Sequence, residues 1–412
     1  MKQTQVAIIG GGLAGLSAAK EFEKHNIDYL LIEKEETVGG KQKTSHINGY
    51  QCDHGFQILL TAYPEVIKQL NIKKLIPHYF NKGAKLWNQN SFKTIADPLQ
   101  KPSHLPYLLC NPLLSWNDYW KLFKLKLSLK NQTSADIFAS TNTTTKDLFT
   151  RLGFSENCQT YFLKPFFRGV YLDNELITSS RLCLFYWKCF LEGNALIPQN
   201  GISAIPKQLE SHLNLNNILK NTTITNIDKT IITTDTDIRI KADFICCATD
   251  YQTASTLYNF PNKHYQCVTN YYYQTDTPPT HNRYLYLDGS KGPINNFHNV
   301  TAINKHASPK GNYLFSITSI PNKTTTKHYE KNILNQLKTY FGDQINKWNL
   351  VTHFHIPQAL PHQSISHGVL NTHYNTQNIY FCGDWTIQGS IQGALYSGRK
   401  TATQIIDRIQ PS

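Results

Sequence analysis

Residues 5–24 read QVAIIGGGLAGLSAAKEFEK, and residues 28–33 continue as DYLLIE. The first stretch divides into an apolar strand-like run, Gln5 to Ile9, a turn, Gly10-Gly11-Gly12-Leu13-Ala14-Gly15, and a helical stretch, Leu16 to Lys24. This is the GxGxxG spacing in the strand-turn-helix setting that gives it meaning. Gly10 permits the tight turn, Gly12 removes the Cβ that would collide with a pyrophosphate, and Gly15 lets helix and strand pack closely. The helix N-terminus adds unpaired N–H groups and positive potential. A second strand, Asp28 to Ile32, ends in Glu33, an acid placed to accept hydrogen bonds from an adenosine ribose. The stretch Val6 to Ala19 is apolar enough to imitate a signal-peptide core, but its glycine spacing points to the turn instead.

Further along, Thr37-Val38-Gly39-Gly40-Lys41-Gln42-Lys43 sets a glycine pair beside two cations directly after Glu33. Backbone N–H groups and positive charge there can grip the same pyrophosphate from the other side. Near the C-terminus, the strand Asn378 to Cys382 runs into Gly383-Asp384-Trp385-Thr386, and Gly389 to Ala394 opens a helix reaching about Arg408. An acid after a strand-end glycine can bond a ribityl hydroxyl, and the helix N-terminus can stabilise negative charge on a reduced flavin.

Composition narrows the classes. The 412 residues hold 40% apolar side chains and only 17% charged ones, so the chain can build a large core and is neither disordered nor collagenous. Lys and Arg outnumber Asp and Glu by 41 to 28, which favours anionic partners. The cations are scattered and no zinc-finger or RNP pattern occurs, so nucleic acid is not an expected partner. Nine cysteines without a CxxC pair read as buried thiols of a reducing compartment. No run of 18 apolar residues offers a membrane span, and the expected location is cytoplasmic, with peripheral membrane contact as an extension.

Together, the three glycine motifs resemble those of the FAD-dependent amine oxidase and phytoene desaturase superfamily. The resemblance extends through Asp53-His54-Gly55-Phe56-Gln57, Phe166-Phe167-Arg168-Gly169, Thr178-Ser179-Ser180-Arg181 and Asn200-Gly201-Ile202, to a phytoene-desaturase-like branch. It implies an α/β fold: a Rossmann-like FAD-binding domain with a discontinuous α+β substrate lobe. It also implies non-covalent FAD held by Gly10, Gly12, Leu13, Ala14, Gly15, Glu33, Lys34, Gly39, Gly40, Lys41, Gly55, Phe56, Gly383, Asp384, Gln392, Gly393 and Ala394, with Gln392 and Gly393 near the flavin ring. Family members commonly carry Arg where Lys41 stands, and Lys lacks the two-pronged phosphate contact, a deficit Lys43 is placed to offset.

The motifs must converge, so the cofactor domain is expected from residues 1–75, 198–265 and 366–412, and the substrate lobe from 76–197 and 266–365. The first lobe segment reads as helix-rich, the second as strands around Tyr271 to Gln274, Tyr284 to Leu287 and Tyr313 to Ile317. Within the cofactor domain, Asp237 to Ile240 and Phe244 to Ala248 read as separate strands. The resemblance implies a two-electron oxidation of a small hydrophobic substrate, isoprenoid or polycyclic, with flavin N5 as hydride acceptor. A flavin amine oxidase, a reduced-FAD isomerase and a non-catalytic FAD-binding protein stand as alternatives. Amine oxidases usually place a Lys in a substrate-lobe strand; Tyr271-Tyr272-Tyr273-Gln274 has none, and its tyrosines either line an apolar tunnel or are ordinary strand aromatics.

For catalysis, His54, Gln57 and Arg168 are the candidates, Arg168 and Arg181 either binding an anionic substrate group or making structural pairs. His353 and His355 share a strand face, with His362, His367 and His373 following, but no established ligand spacing appears and no metal is expected. Residues 105–130 mix Tyr107, Trp116, Tyr119, Trp120 and Phe123 with Lys121, Lys124, Lys126 and Lys130. Such a segment either lies on an anionic lipid surface or is a lobe helix with solvated lysines.

Overall fold

A computed structural model describes residues 1–96, 112–261, 264–290, 292–320, 329–365 and 378–410. At its centre the strand Lys2–Ile9 lies between two parallel neighbours, Tyr29–Ile32 and Arg239–Cys247, in the registers Ile9↔Ile32 and Ile9↔Cys247. Val6, Ala7, Ile8 and Ile9 are all buried, as expected of a parallel strand covered on both faces. Ile218–Leu219 extends the sheet beyond Tyr29–Ile32. On the far side Arg239–Cys247 meets two partners in succession. Its first half pairs antiparallel with Ile231–Thr234, which pairs with Ile224–Asp228, and its second half pairs parallel with Ile379–Phe381. The separate strands read at 237–240 and 244–248 are therefore one. Arg239, Lys241 and Asp243 alternate outward where only one face is covered, and the apolar run begins where both are.

The strands of this sheet thus come from three stretches of chain, and the chain ends are tied together by helices. Leu13–Lys24 packs along Ile391–Ile409, with the Ser17 hydroxyl donating toward two acceptors, Leu395 O at 2.7 Å and Gln69 Oε1 at 2.8 Å. Arg399 makes a two-pronged pair with the buried Glu65 at 2.7 and 2.9 Å, fixing the short helix Pro64–Gln69 to the same bundle.

A second sheet of seven strands runs in the spatial order Asn349–Pro361, Tyr265–Thr275, Tyr313–Ser319, Ile294–Asn299, Leu285–Asp288, Ala84–Trp87 and Phe92–Ile95. All neighbours are antiparallel except Leu285–Asp288 with Ala84–Trp87. Residues 77–95 therefore contribute short strands to a segment read as helix-rich; helices follow from Trp116–Lys130 to Ser180–Glu192. One face of the sheet is closed by Tyr329–Phe341, against which Tyr271, Tyr273, Phe297, Phe315 and Ile317 pack with Ile333 and Leu337. The strand period of two sends Val268, Asn270 and Tyr272 to the opposite face, toward the first sheet. Pro357 sits inside Asn349–Pro361 without ending it, because that strand is an edge and needs no N–H there.

Candidate active site

The glycine turn forms one wall of a crevice at the carboxyl end of the first sheet. Gly10 has φ +101°, a conformation open to glycine, and a Cβ on it would stand 3.0 Å from Ala248 O. A Cβ on Gly15 would stand 2.0 Å from Gly10 O, so the helix closes onto the turn only because that atom is missing. Gly12 differs: its added Cβ would meet only Gly40 Cα, at 3.9 Å. Glycine at 12 thus leaves space that the described chain does not fill. The helix Leu13–Lys24 has no side-chain cap and no acid in its first turn, so its leading N–H groups keep their positive potential. Glu33 is buried at the tip of its strand and accepts from Gly11 N at 2.6 Å and Glu35 N at 2.9 Å.

The glycine pair abuts the turn backbone to backbone. Gly39 N donates to Gly11 O at 2.9 Å, and Gly40, at φ +58°, would place a Cβ 3.1 Å from Gly12 Cα. Open space, an uncapped helix and a strand-end carboxylate fit an adenine dinucleotide's pyrophosphate and ribose. The cations behave otherwise than expected. Lys41 Nζ is 2.7 Å from Asp384 Oδ2 and 3.2 Å from Ala359 O, and Lys43 faces Glu35 at 3.8 Å. Both serve carboxylates of the protein itself.

Of the residues assigned to the cofactor, Gly10, Gly12, Leu13, Ala14, Glu33, Lys34, Gly40, Lys41, Gly55, Phe56, Gly383, Asp384 and Ala394 line one continuous cavity of about 1150 Å³. Gly15 and Gly39 lie behind that wall and shape it. Gln392 and Gly393 do not line it: Gln392 Oε1 accepts from Glu65 N at 2.8 Å, and Gly393 N donates to the Ser390 cap at 2.9 Å. Ser390 and Ile391 border the cavity instead.

His54 and Gln57 also reach the cavity, with His54 Nε2 and the Gln57 amide already engaged within the protein. His54 Nε2 lies 2.8 Å from Ser45 Oγ and its ring stacks on Phe354 at 4.0 Å. Burial and the nearby Lys43 hold its pKa below the usual histidine value. Gln57 donates to Lys41 O at 2.9 Å and His54 O at 2.8 Å, tying the loop to the glycine pair. Asp53 accepts from Thr44 Oγ1 at 2.6 Å and Ile202 N at 3.0 Å, which clamps the Asn200-Gly201-Ile202 turn to the hairpin Thr44–Ile47 and Tyr50–Asp53. Burial pushes its carboxyl up to about 6.

The cavity is larger than the roughly 300–1,000 Å³ usual for a single ligand and continues from the crevice into the second lobe. There its sheet wall carries Val268, Leu285, Leu287 and Ile356, and its helical wall Phe166, Trp187 and Phe190. The tyrosines 271–273 do not border it; two belong to the core behind the sheet, and Tyr272 OH donates to Asp53 O at 2.8 Å. Neither does Arg168, whose Nε donates to Asn295 Oδ1 behind the wall. Arg181 Nε donates to Ser140 O at 2.6 Å, a structural contact.

Two polar side chains of the sheet do reach the cavity, Asn296 and Thr318, and neither was expected from the sequence. Nearby His298 is 3% exposed and packs on Phe56 and Phe80 at 5.1 and 5.3 Å; its Nδ1 has no partner among the described residues, and burial lowers its pKa to about 3. The signal was present in Ile294–Asn299, INNFHN, which is buried throughout; its polar content imitates a loop.

His353 and His355 do share a face of their strand, His355 Nδ1 lying 2.9 Å from Thr269 Oγ1. His367 and His373 lie outside the described residues, and among the described ones no group of His, Cys, Asp or Glu is arranged to hold a metal. Of residues 105–130, those numbered 105–111 are likewise outside. The helix Trp116–Lys130, held by a Ser115–Asp118 capping box, buries Leu125 and Leu129 and turns Trp116, Tyr119, Trp120, Phe123 and Lys126 toward the cavity rim. Trp116 and Trp120 remain 66% and 53% exposed. No described helix is long and apolar enough to cross a membrane.

A model of the flavin containing amine oxidoreductase family matches residues 13–406. Among individual proteins, protoporphyrinogen oxidase 2 of Arabidopsis thaliana is 23% identical over 168 residues, 40% of this chain and 32% of that protein. A carotenoid 3,4-desaturase of Haloarcula japonica is 30% identical over 86 residues, 18% of this chain and 17% of that one. The chain thus spans about a third or less of the length of these relatives. A solved structure of a putrescine oxidase double mutant superposes with a TM-score of 0.73 over 99% of this chain and all of its own, at 14% identity, a likeness of fold.

Proposed function

The chain belongs to the flavin containing amine oxidoreductases, a family of FAD-dependent oxidoreductases, and from that membership we propose that it oxidises an apolar, uncharged substrate, as a desaturase or dehydrogenase does. One observation carries this reading. Among the described residues lining the second-lobe part of the cavity there is no Asp or Glu, and the sheet wall contributes no Lys. A protonated amine moved there from water would lose its hydration without gaining a counter-ion, a large penalty. An isoprenoid or polycyclic hydrocarbon gains from the same wall, at about 25 cal/mol for each Å² of apolar surface buried.

Bound FAD supplies the two-electron acceptor, at flavin N5. The chain's residues do the rest by shape: Val268, Leu285, Leu287 and Ile356 on one side and Phe166, Trp187 and Phe190 on the other confine the substrate and exclude water. Relatives whose names specify a carotenoid desaturase and a protoporphyrinogen oxidase support an isoprenoid or polycyclic substrate. We further infer that this substrate enters from an anionic lipid surface past Trp116 and Trp120, whose rings flank the rim beside Lys121, Lys124 and Lys126.

Anaerobic titration tests the reaction. A polyene hydrocarbon, a porphyrinogen and a series of primary amines are added to the holoprotein while the flavin absorption is followed. Bleaching by one of the first two and by none of the amines is expected. Bleaching by amines alone would overturn the reading, and a flavin that none of them reduces would favour the isomerase or non-catalytic alternatives.

A further inference from the structure

On the cavity-side face of the sheet, polar side chains from the helix Lys164–Tyr171 and three neighbouring strands form one directed chain of hydrogen bonds. Arg168 Nε donates to Asn295 Oδ1, and Asn295 Nδ2 donates to Asn296 Oδ1 at 2.8 Å and to Pro165 O at 3.2 Å. Asn296 Nδ2 donates to Thr318 Oγ1 at 3.2 Å, Thr318 to Asn270 Oδ1 at 3.1 Å, and Asn270 Nδ2 to Ser316 Oγ at 3.0 Å. The direction is set at one end. A guanidinium can only donate, so Asn295 must turn its oxygen toward Arg168 and its amide nitrogen toward Asn296. Asn296 must then present its oxygen to Asn295 and its nitrogen to Thr318. Every dipole runs away from the cation, and each bond polarises the next.

Asn270 and Asn295 are fully buried, and Asn296 and Thr318 are 1% and 2% exposed yet line the cavity. The carboxamide of Asn296 has two N–H groups. One is held by Thr318, and the second has no partner among the described residues. A donor kept in so apolar a wall without a partner is costly, and such groups are rarely left unmatched. Gly169 keeps the place open: a Cβ there would come within 2.8 Å of Asn295 Nδ2 and 3.3 Å of Asn296 Oδ1.

We propose that the second N–H of Asn296 is a substrate anchor, binding one hydrogen-bond-accepting oxygen, a carbonyl, ether or hydroxyl, on an otherwise apolar molecule. The inference deepens the reading above and rests on it. Asn296 is then the specificity-determining residue and Arg168 a positioning residue that acts through Asn295.

The test uses holoprotein and two matched probes: geranylacetone, an isoprenoid ketone, and the same skeleton with methylene in place of the carbonyl. Binding is read from the change in flavin fluorescence. The ketone is expected to bind about tenfold more tightly. Asn296→Leu is expected to abolish that ratio while keeping hydrocarbon affinity and bound flavin. Arg168→Met should shrink the ratio and Arg168→Lys, which restores a donor, should recover part of it. The ratio comes from one preparation, so partial loss of folded protein does not move it. Equal binding of both probes to the native protein, or a ratio that survives Asn296→Leu, would overturn the anchor and leave the apolar-substrate reading standing. Loss of flavin from the Asn296→Leu variant would also overturn it, by assigning the N–H to the cofactor. Failure of both probes to bind the native holoprotein would sink the apolar-substrate reading and the anchor with it.

Discussion

The crevice that fits the cofactor and the wall proposed to face the substrate border one cavity but are built from different material. In the crevice, the working surface is backbone: the turn Gly10 to Gly15, the glycine pair abutting it, and a helix start with no cap. In the wall it is side chains, with Asn296 held by Arg168 through Asn295 and an apolar floor from two inner strands and an edge strand. A backbone site tolerates almost no other residue at its close approaches, because any Cβ fills the space. A side-chain wall can be rebuilt one residue at a time without disturbing the strands beneath it. The contrast explains how members of one fold family come to carry different substrate names.

The sharpest way to break the contrast is to add a Cβ at two glycines of the same turn. Gly15→Val drives atoms into Gly10 O, so the helix must move and the protein should lose both flavin and thermal stability. Gly12→Val meets nothing of the chain but Gly40, and its φ of −71° suits any residue. That variant should fold with the unfolding temperature of the native apoprotein yet retain FAD at least about a hundredfold more weakly, a loss of roughly 3 kcal/mol. Calorimetry of the apo forms and the flavin absorption after reconstitution check the pair. Full flavin retention by Gly12→Val would mean that the open space at Gly12 is not where the pyrophosphate lies.

This division also decides what could be read in advance. The crevice was legible because its requirements are local: Gly10, Gly12, Gly15 and Glu33 fall within one βαβ unit, and spacing alone implies their geometry. Convergence of the C-terminal glycine-aspartate motif on the same crevice was expected for the same reason, while the strand order of the sheet was not read. Asn296, Thr318 and His298 were not legible. Their roles depend on strands more than a hundred residues from Arg168 folding over it, and a buried polar strand has the composition of a loop. The contact between Lys41 and Asp384 was not legible either, for a related reason. The sequence neighbours of Lys41 suggested a phosphate, while its carboxylate partner, Asp384, comes from the far end of the chain.

A finer comparison uses two buried titratable groups, one on each side of the cavity. His298 in the lobe has its pKa depressed by burial to about 3 from the ordinary 6.5, so the fold favours its neutral form. That contribution is present above pH 6.5 and is lost as pH falls toward 3. Asp53 on the cofactor side is raised from 3.8 to about 6, again by burial, so the fold favours its protonated form, and its contribution is full below 3.8 and lost as pH rises through 6. Between pH 6 and 4 the two oppose each other, and the His298 displacement is the larger, on the order of a few kcal/mol. His298→Phe should therefore flatten the fall in unfolding temperature from pH 7 to 5. Asp53→Asn, which keeps an acceptor for Thr44 and Ile202, should raise stability at pH 8 and steepen the acid loss. Thermal unfolding of the holoproteins across this range measures both slopes, and changes of slope in the same direction in the two variants, relative to the native protein, would refute the assignment.

The smallest expected effect concerns the rim. Trp116 and Trp120 are exposed beside the cavity while Leu125 and Leu129 anchor the same helix to the core, so the outward rings can be removed without touching its packing. Lys124 lies over the Trp120 ring at 5.2 Å, which keeps a cation at the level of the aromatic surface, where an anionic headgroup would meet it. The holoprotein should float with vesicles containing acidic lipid and much less with neutral ones. The Trp116→Ala, Trp120→Ala double variant should lose most of that recovery, with unchanged flavin content and an unfolding temperature within a degree or two of the native protein. An apolar substrate delivered in those vesicles should then reduce the flavin of the variant about threefold more slowly, while the same compound presented in detergent reduces both at one rate. A native protein that stays at the bottom of the gradient with either lipid would remove the rim from the entry route and leave the wall and the crevice as they stand.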